Sequence, residues 1–271
     1  MKVFVVDIAK CNGCYCCQLA CKDEHVTNDW TPYAKPQPDV GQFWIGVTEL
    51  VRGTVPKVML TYIPKLCMHC DDAPCIQACK AGAIYKRDDG LVIIDPTKCT
   101  GHGLCSDACP HGVIYFNKDL NISQKCTGCA HLLDNDDDLK VPRCVDACPI
   151  GALRFGDESD YHDVLPKAEL LNPQAGTKSR VYYLNLPRKW IAGTLYDPEA
   201  EEVVIGATCT LTNSEDGKIL VVETDNFGDF WFRGLQDNQS FSLAIQKDGK
   251  QKVIELITTE VDRNLGDIAL A

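Results

Sequence analysis

Sixteen of the chain's seventeen cysteines fall before residue 149, in groups whose spacing leaves few folds open. The first group is Cys11-x2-Cys14-x2-Cys17-x3-Cys21, and the second is Cys67-x2-Cys70-x4-Cys75-x3-Cys79. The third is Cys99-x5-Cys105-x3-Cys109-Pro110, and the fourth is Cys126-x2-Cys129-x14-Cys144-x3-Cys148-Pro149. A loop with short gaps wraps three thiolates around one corner of a metal cluster, with main-chain N–H groups facing the sulfurs. The last cysteine of a group, on the following helix, then points to a cluster held by a distant loop. Soft thiolates select iron–sulfur or zinc over hard cations. Zinc needs isolated sets of four, whereas here threes and ones interleave. A secreted disulfide scaffold would be smaller and would lack this rhythm. The spacing predicts three, and with the third group four, iron–sulfur clusters.

The rest of the composition is ordinary. A length of 271 residues allows one large or two ordinary domains. Apolar residues at 45% and charged residues at 24% suit a soluble globular protein. A formal charge of −11 excludes nucleic acid as a partner. No apolar run has the length of a membrane span, so direct insertion is not expected. The start, Met1 to Asp7, meets an acidic residue too soon for a signal core. A cytoplasmic location is expected unless a signal-bearing partner exports the pair.

The first part of the chain repeats itself. Val6-Asp7-Ile8-Ala9-Lys10-Cys11 is echoed by Ile94-Asp95-Pro96-Thr97-Lys98-Cys99. Cys79, Cys109 and Cys148 are each followed, after two residues, by a glycine (Gly82, Gly112, Gly151) and an apolar pair. The fold class expected is α+β, with a duplicated bacterial ferredoxin-like domain over 1–156. An insertion at 22–66 carries Trp30, Tyr33, Phe43, Trp44 and Tyr62. It reads equally as core packing and as a docking surface. Residues 157–199, broken by Pro166, Pro173 and Gly176, read as a connecting segment packed on the first domain. Residues 200–271 alternate polar and apolar side chains in short runs, as at 203–211, 219–224, 229–232, 241–245 and 253–257. That pattern predicts a small all-β sandwich. The phrase Thr224-Asp225-Asn226-Phe227-Gly228-Asp229-Phe230 resembles the transthyretin-like, carboxypeptidase-regulatory or Cna-B repeat. It holds no catalytic constellation, so a structural or partner-binding role is expected.

The four-group layout resembles the ferredoxin-like iron–sulfur subunits of molybdopterin oxidoreductases of the dimethyl sulfoxide reductase family. Carried over residue by residue, the resemblance implies one cluster on Cys11, Cys14, Cys17 and Cys148. It implies a second on Cys126, Cys129, Cys144 and Cys21, and a third on Cys67, Cys70, Cys75 and Cys109. Each of these would be a 4Fe–4S cluster. Cys79, Cys99 and Cys105 remain for a fourth. There the chain departs from the family, with His102 where the second cysteine of the third group stands. Three outcomes are open: a 3Fe–4S cluster, a 4Fe–4S cluster with His102 as ligand, or no stable cluster. Replacing a thiolate by imidazole raises the potential in Rieske centres, so a surviving fourth cluster would be the most easily reduced. Cys16 and Cys209 fall outside the scheme as free thiols. Lys10, Lys98 and Lys125 directly precede three of the groups. They either temper the clusters' negative charge or are ordinary solvated lysines.

Within that family, four phrases resemble the small subunits of the pyrogallol–phloroglucinol transhydroxylase branch. They are Asp23-Glu24-His25, Cys67-Met68-His69-Cys70, the run 125–134 from Lys125 to Asp134, and the run 179–186 from Ser179 to Leu186. The resemblance implies a heterodimer of anaerobic metabolism. Its large subunit would carry molybdopterin guanine dinucleotide with Mo or W. It would act on a hydroxylated aromatic as a transhydroxylase, hydroxylase or dehydroxylase. In that branch the third group is reduced, whereas this chain keeps three of its cysteines. This implies exchange of electrons with an external donor or acceptor. No catalytic residue is expected on the chain itself, which shows no Gly-rich dinucleotide loop and no nucleophile–base pair. The alternative is a stand-alone polyferredoxin carrier. The appended sandwich and the aromatic insertion argue against it, because a shuttle needs neither.

Overall fold

Three times the chain passes from a helix into a strand by the same turn, and each turn begins at a cysteine. In the computed structural model, which describes residues 1–135 and 139–270, the longest helix is α1 (Cys16–Val26). The others are single turns: α2 (Pro74–Ala78), α3 (Leu104–Asp107), α4 (Ala130–Asp134) and α5 (Arg143–Asp146). After α2, α3 and α5 come Gly82, Gly112 and Gly151, with φ of 63°, 61° and 62°. Their N–H groups bond back to the carbonyls of Cys79, Cys109 and Cys148 at 3.1, 3.1 and 3.3 Å. Glycine takes this left-handed conformation without a Cβ clash. The strands Ile84–Lys86, Tyr115–Asn117 and Leu153–Asp157 follow. Among the described residues, no helix is long and apolar enough to cross a membrane.

The first of two units comprises Met1–Glu49 and Thr61–Leu186. Its centre is the strand Lys2–Asp7, antiparallel to Leu153–Asp157 and parallel to Val181–Leu184. Val3, Phe4, Val5 and Val6 are all buried, so the strand is a continuous apolar run, as one covered on both faces must be. Two hairpins, Ile84–Lys86 with Val92–Ile94 and Tyr115–Asn117 with Ile122–Gln124, carry the middle cysteine groups. Residues 158–180 lie on this unit through short 3-10 turns. Arg180 pins them: its N–H reaches the Met68 carbonyl at 2.9 Å, and its guanidinium reaches Asp71 at 2.5 Å and Glu158 at 3.1 Å.

The second unit comprises Leu50–Leu60 and Pro187–Ala271. The stretch 157–199, read from the sequence as one connector, thus divides after Leu186. Its last part forms the strand Lys189–Asp197, which pairs with Glu202–Val203, Asp229–Leu235 and Arg263–Ala269. The second sheet runs in the order Ile219–Glu223, Thr208–Asn213, Ser240–Lys247, Lys250–Thr258. The run 203–211 is interrupted at Gly206, whose φ of 66° takes the chain out of the strand. The two sheets enclose Ile191, Leu195, Leu211, Phe230, Phe232, Leu243 and Ile245. Each such side chain contributes ~1.5–3 kcal/mol by leaving water. Residues Leu50–Leu60 are the far end of a hairpin, Ile45–Thr54 with Lys57–Leu66. Within the unit, buried Lys57 pairs with Asp229, and Arg52 meets Asp262 at 3.4 Å.

Cys209 belongs to this core, fully buried, its thiol 3.9 Å from the Ala207 carbonyl. Cys209→Ser places a hydroxyl among apolar neighbours and is expected to lower stability by ~1–3 kcal/mol in denaturant unfolding. The iron content of the purified chain should not change. A loss of iron would make Cys209 a ligand.

Candidate metal-cluster sites

The remaining thiols gather into four neighbourhoods. Cys11, Cys14, Cys17 and Cys148 lie close enough to feel one another's charge. So do Cys21, Cys126, Cys129 and Cys144, the first reaching its partners from α1 and the last from α5. Cys67, Cys70, Cys75 and Cys109 line one recess. Cys79, Cys99 and Cys105 line another, and His102 lines it with them. In every set the outlying member comes from a group distant in sequence, delivered by one of the short helix-to-strand turns or, for Cys21, by α1. Cys16 is left beside Cys14, its thiol against that neighbour.

The loops that hold these thiols share a backbone. Gly13, His69, Gly101 and Gly128 each precede the second position of a group, with φ of 70°, 44°, 74° and 64°. The residues that follow them are Cys14, Cys70, His102 and Cys129. The likeness is closest between the first and third groups. Tyr15 and Gly103 also have positive φ, 60° and 71°, and Cys14 and His102 are both exposed. His102 therefore stands where Cys14 stands. Amide hydrogens face the sulfurs: His69 to Cys67 at 3.5 Å, Ser123 to Cys99 at 3.4 Å, Gly128 to Cys126 at 3.4 Å, Ala152 to Cys148 at 3.2 Å.

Burial pushes the thiol pKa values up, with neighbouring thiols adding to it. Cys17, Cys75 and Cys129 rise to about 12, Cys126 to about 11, and Cys21 and Cys144 stand well above the ordinary value. The lysine charge of Lys125 works against this rise at both Cys75 and Cys126. Four thiolates in one buried place repel one another unless a cation stands among them. The donors are thiols, joined by one imidazole at the fourth place, and each set draws on two cysteine groups. Such interleaved sets fit multi-iron clusters better than mononuclear zinc.

Spacing alone misses the residues around the thiols. His25 is almost fully buried, with Nε2 3.9 Å from the Cys129 sulfur. Burial, with His131 beside it, lowers its pKa to about 3, so the ring is neutral. His131 bonds Glu24 at 3.0 Å and stacks on Trp30, while Trp44 packs on His25. These aromatics of the insertion are thus core packing around the second set. His69, between Cys67 and Cys70 in the chain, accepts the Val92 N–H at Nδ1 (3.0 Å), which leaves its proton on Nε2. Thr177 bonds His111 at 3.1 Å, and its hydroxyl reaches the Cys70 thiol. Their sequence signals differ: His25, His69, His111 and His131 stand within or close to cysteine groups, Trp30 and Trp44 lie in the aromatic insertion, and Thr177 lies far from any group.

A chain that gathers its thiols in this way, on a ferredoxin-like frame, is an iron–sulfur electron-transfer protein. Residues 58–158 match the family described as 4Fe-4S dicluster domain, and residues 190–271 match carboxypeptidase regulatory-like domain. The pyrogallol hydroxytransferase small subunit of Pelobacter acidigallici is 38% identical over 98% of both chains. The arsenate respiratory reductase iron–sulfur subunit ArrB of Shewanella sp. (strain ANA-3) is 34% identical over 66% of this chain and 94% of its own. A sulfite dehydrogenase subunit of Allochromatium vinosum is 36% identical over 68% of this chain and 82% of its own. The chain belongs to the iron–sulfur subunits of the dimethyl sulfoxide reductase family of molybdopterin oxidoreductases.

The third-group loop is the least tolerant point of its site. A Cβ built on Gly101 would lie 2.5 Å from the Asn121 carbonyl oxygen, at φ 74°. Gly101→Ala is expected to cost more than the ~1–2 kcal/mol of left-handed strain alone. Iron bound per chain should fall, whereas Gly46→Ala, whose Cβ would meet Gln18 Oε1 only at 4.0 Å, should keep it. Equal iron in the two variants would contradict a cluster at this loop.

Proposed function

We propose that the chain holds four clusters and relays electrons between a large molybdopterin subunit and an external redox partner. Three 4Fe–4S clusters would be held by Cys11, Cys14, Cys17 and Cys148, by Cys126, Cys129, Cys144 and Cys21, and by Cys67, Cys70, Cys75 and Cys109. The fourth, also 4Fe–4S, would be held by Cys79, Cys99, Cys105 and His102. When bound, the clusters supply reversible one-electron redox chemistry. The chain's own residues hold the thiolates, keep water from them and set the local charge. The single observation that carries the reading is the repetition of the first loop by the third, with His102 at the position of Cys14.

The partner is taken to act on a hydroxylated aromatic, a reading supported by likeness to a pyrogallol hydroxytransferase subunit over nearly the whole chain. An external donor or acceptor is supported by the retention of Cys79, Cys99 and Cys105 around one space. The second unit holds no cluster. We assign it a structural or partner-binding role, of the transthyretin or Cna-B kind.

Two measurements test this. A large pterin-containing chain should co-purify, and a stable monomer with full cluster content would instead make the chain a free carrier. In EPR after mild oxidation the native chain should show no 3Fe–4S signal. His102→Ala should introduce one, and His102→Cys should keep four 4Fe–4S clusters with one potential lowered. A 3Fe–4S signal in the native chain would remove His102 from the ligands.

A further inference from the structure

Three lysines directly precede cysteine groups, and they have different fates. Lys10 is exposed, and Lys98 is largely exposed and paired with Asp95 at 3.1 Å. Lys125 is 2% exposed. Its ammonium donates to two main-chain carbonyls, those of Val92 and, at 3.0 Å, Cys126. Lys86, another lysine near the third thiol set, pairs with Asp71 at 2.8 Å, a carboxylate it shares with Arg180. Both acceptors found for Lys125 are carbonyls, which offer a dipole and no charge. A buried ammonium needs negative charge near it to remain where it is.

That charge lies on both sides. Val92 lines the same space as Cys67, Cys70, Cys75 and Cys109. Cys126 belongs to the set with Cys21, Cys129 and Cys144. Val92 is held from both directions, its N–H on His69 and its carbonyl on Lys125. Lys125 therefore bridges the two thiol sets through the main chain of one residue from each.

We propose that Lys125 is a charge-setting residue between the second and third clusters, raising the potentials of both by stabilising their reduced states. The inference rests on the ligand assignment above. Each cluster gains one negative charge on reduction, and a fixed cation in a low-dielectric interior favours that gain at both neighbours. Because the same ammonium serves both, the two potentials rise together. The step between the second and third clusters is then kept from becoming steeply uphill.

The test is an EPR-monitored redox titration of the full chain, purified anaerobically, for wild type, Lys125→Gln, Lys125→Met and Lys125→Arg. Iron and acid-labile sulfide are measured on each. Both neutral variants should lower the potentials of two clusters and leave the other two unshifted, and Lys125→Arg should stay near wild type. If neither neutral variant loads clusters while Lys125→Arg does, that dependence on charge supports the proposal. Failure of Lys125→Arg together with the neutral variants overturns it, as does an equal shift at all four clusters or none at any. A wild-type chain short of iron would overturn the ligand assignment instead, and iron content reads that separately from potential.

Discussion

The structure depends on one electrostatic requirement: many thiolates must be held in places from which water is largely excluded. Thiols buried as Cys21 and Cys144 are do not ionise by themselves, since burial and their neighbours hold their pKa values well up. Only a cation bound among them makes the ionised set stable. The peptide groups aimed at the sulfurs and the buried Lys125 ammonium serve the same end from the protein side. Fixed dipoles and fixed charge replace the water that the thiolates have lost.

The repeated helix-to-strand turn is how one chain builds such places in pairs. A cysteine follows each of α2, α3 and α5, a left-handed glycine turns the chain, and a strand leaves the turn. The turn sends its cysteine to a loop distant in sequence. Each cluster site therefore also ties two parts of the chain together. Cluster loading and folding of the first unit are linked, as with any metal site that does not exist in the unfolded chain.

Much of this was legible in the sequence, because thiol spacing reports local backbone geometry directly. The three complete thiol sets follow from such spacing together with the family resemblance, and the structure brings each set together. His102 was legible as a departure from pattern. Its place opposite Cys14 became visible only in the shared φ values of the two loops. Lys125 was not legible, since Lys10, Lys98 and Lys125 look alike beside their cysteines and differ only in burial. The strand Lys189–Asp197 was hidden because a polar, proline-bearing lead-in masked it, although Trp190, Ile191, Ala192 and Leu195 are buried. The assignment of Leu50–Leu60 to the second unit left no local signal. A hairpin long enough to serve two units reads, residue by residue, like any other hairpin.

The central claim is that these thiol sets hold multi-iron clusters, the fourth with His102. Anomalous diffraction at the iron edge, from a crystal of the chain with its partner grown without oxygen, tests it most directly. The account predicts a multi-iron peak within each of the four thiol sets, the fourth in contact with the His102 ring. A single-metal peak in any of the three complete sets, or a fourth peak with the His102 ring turned away, would contradict it.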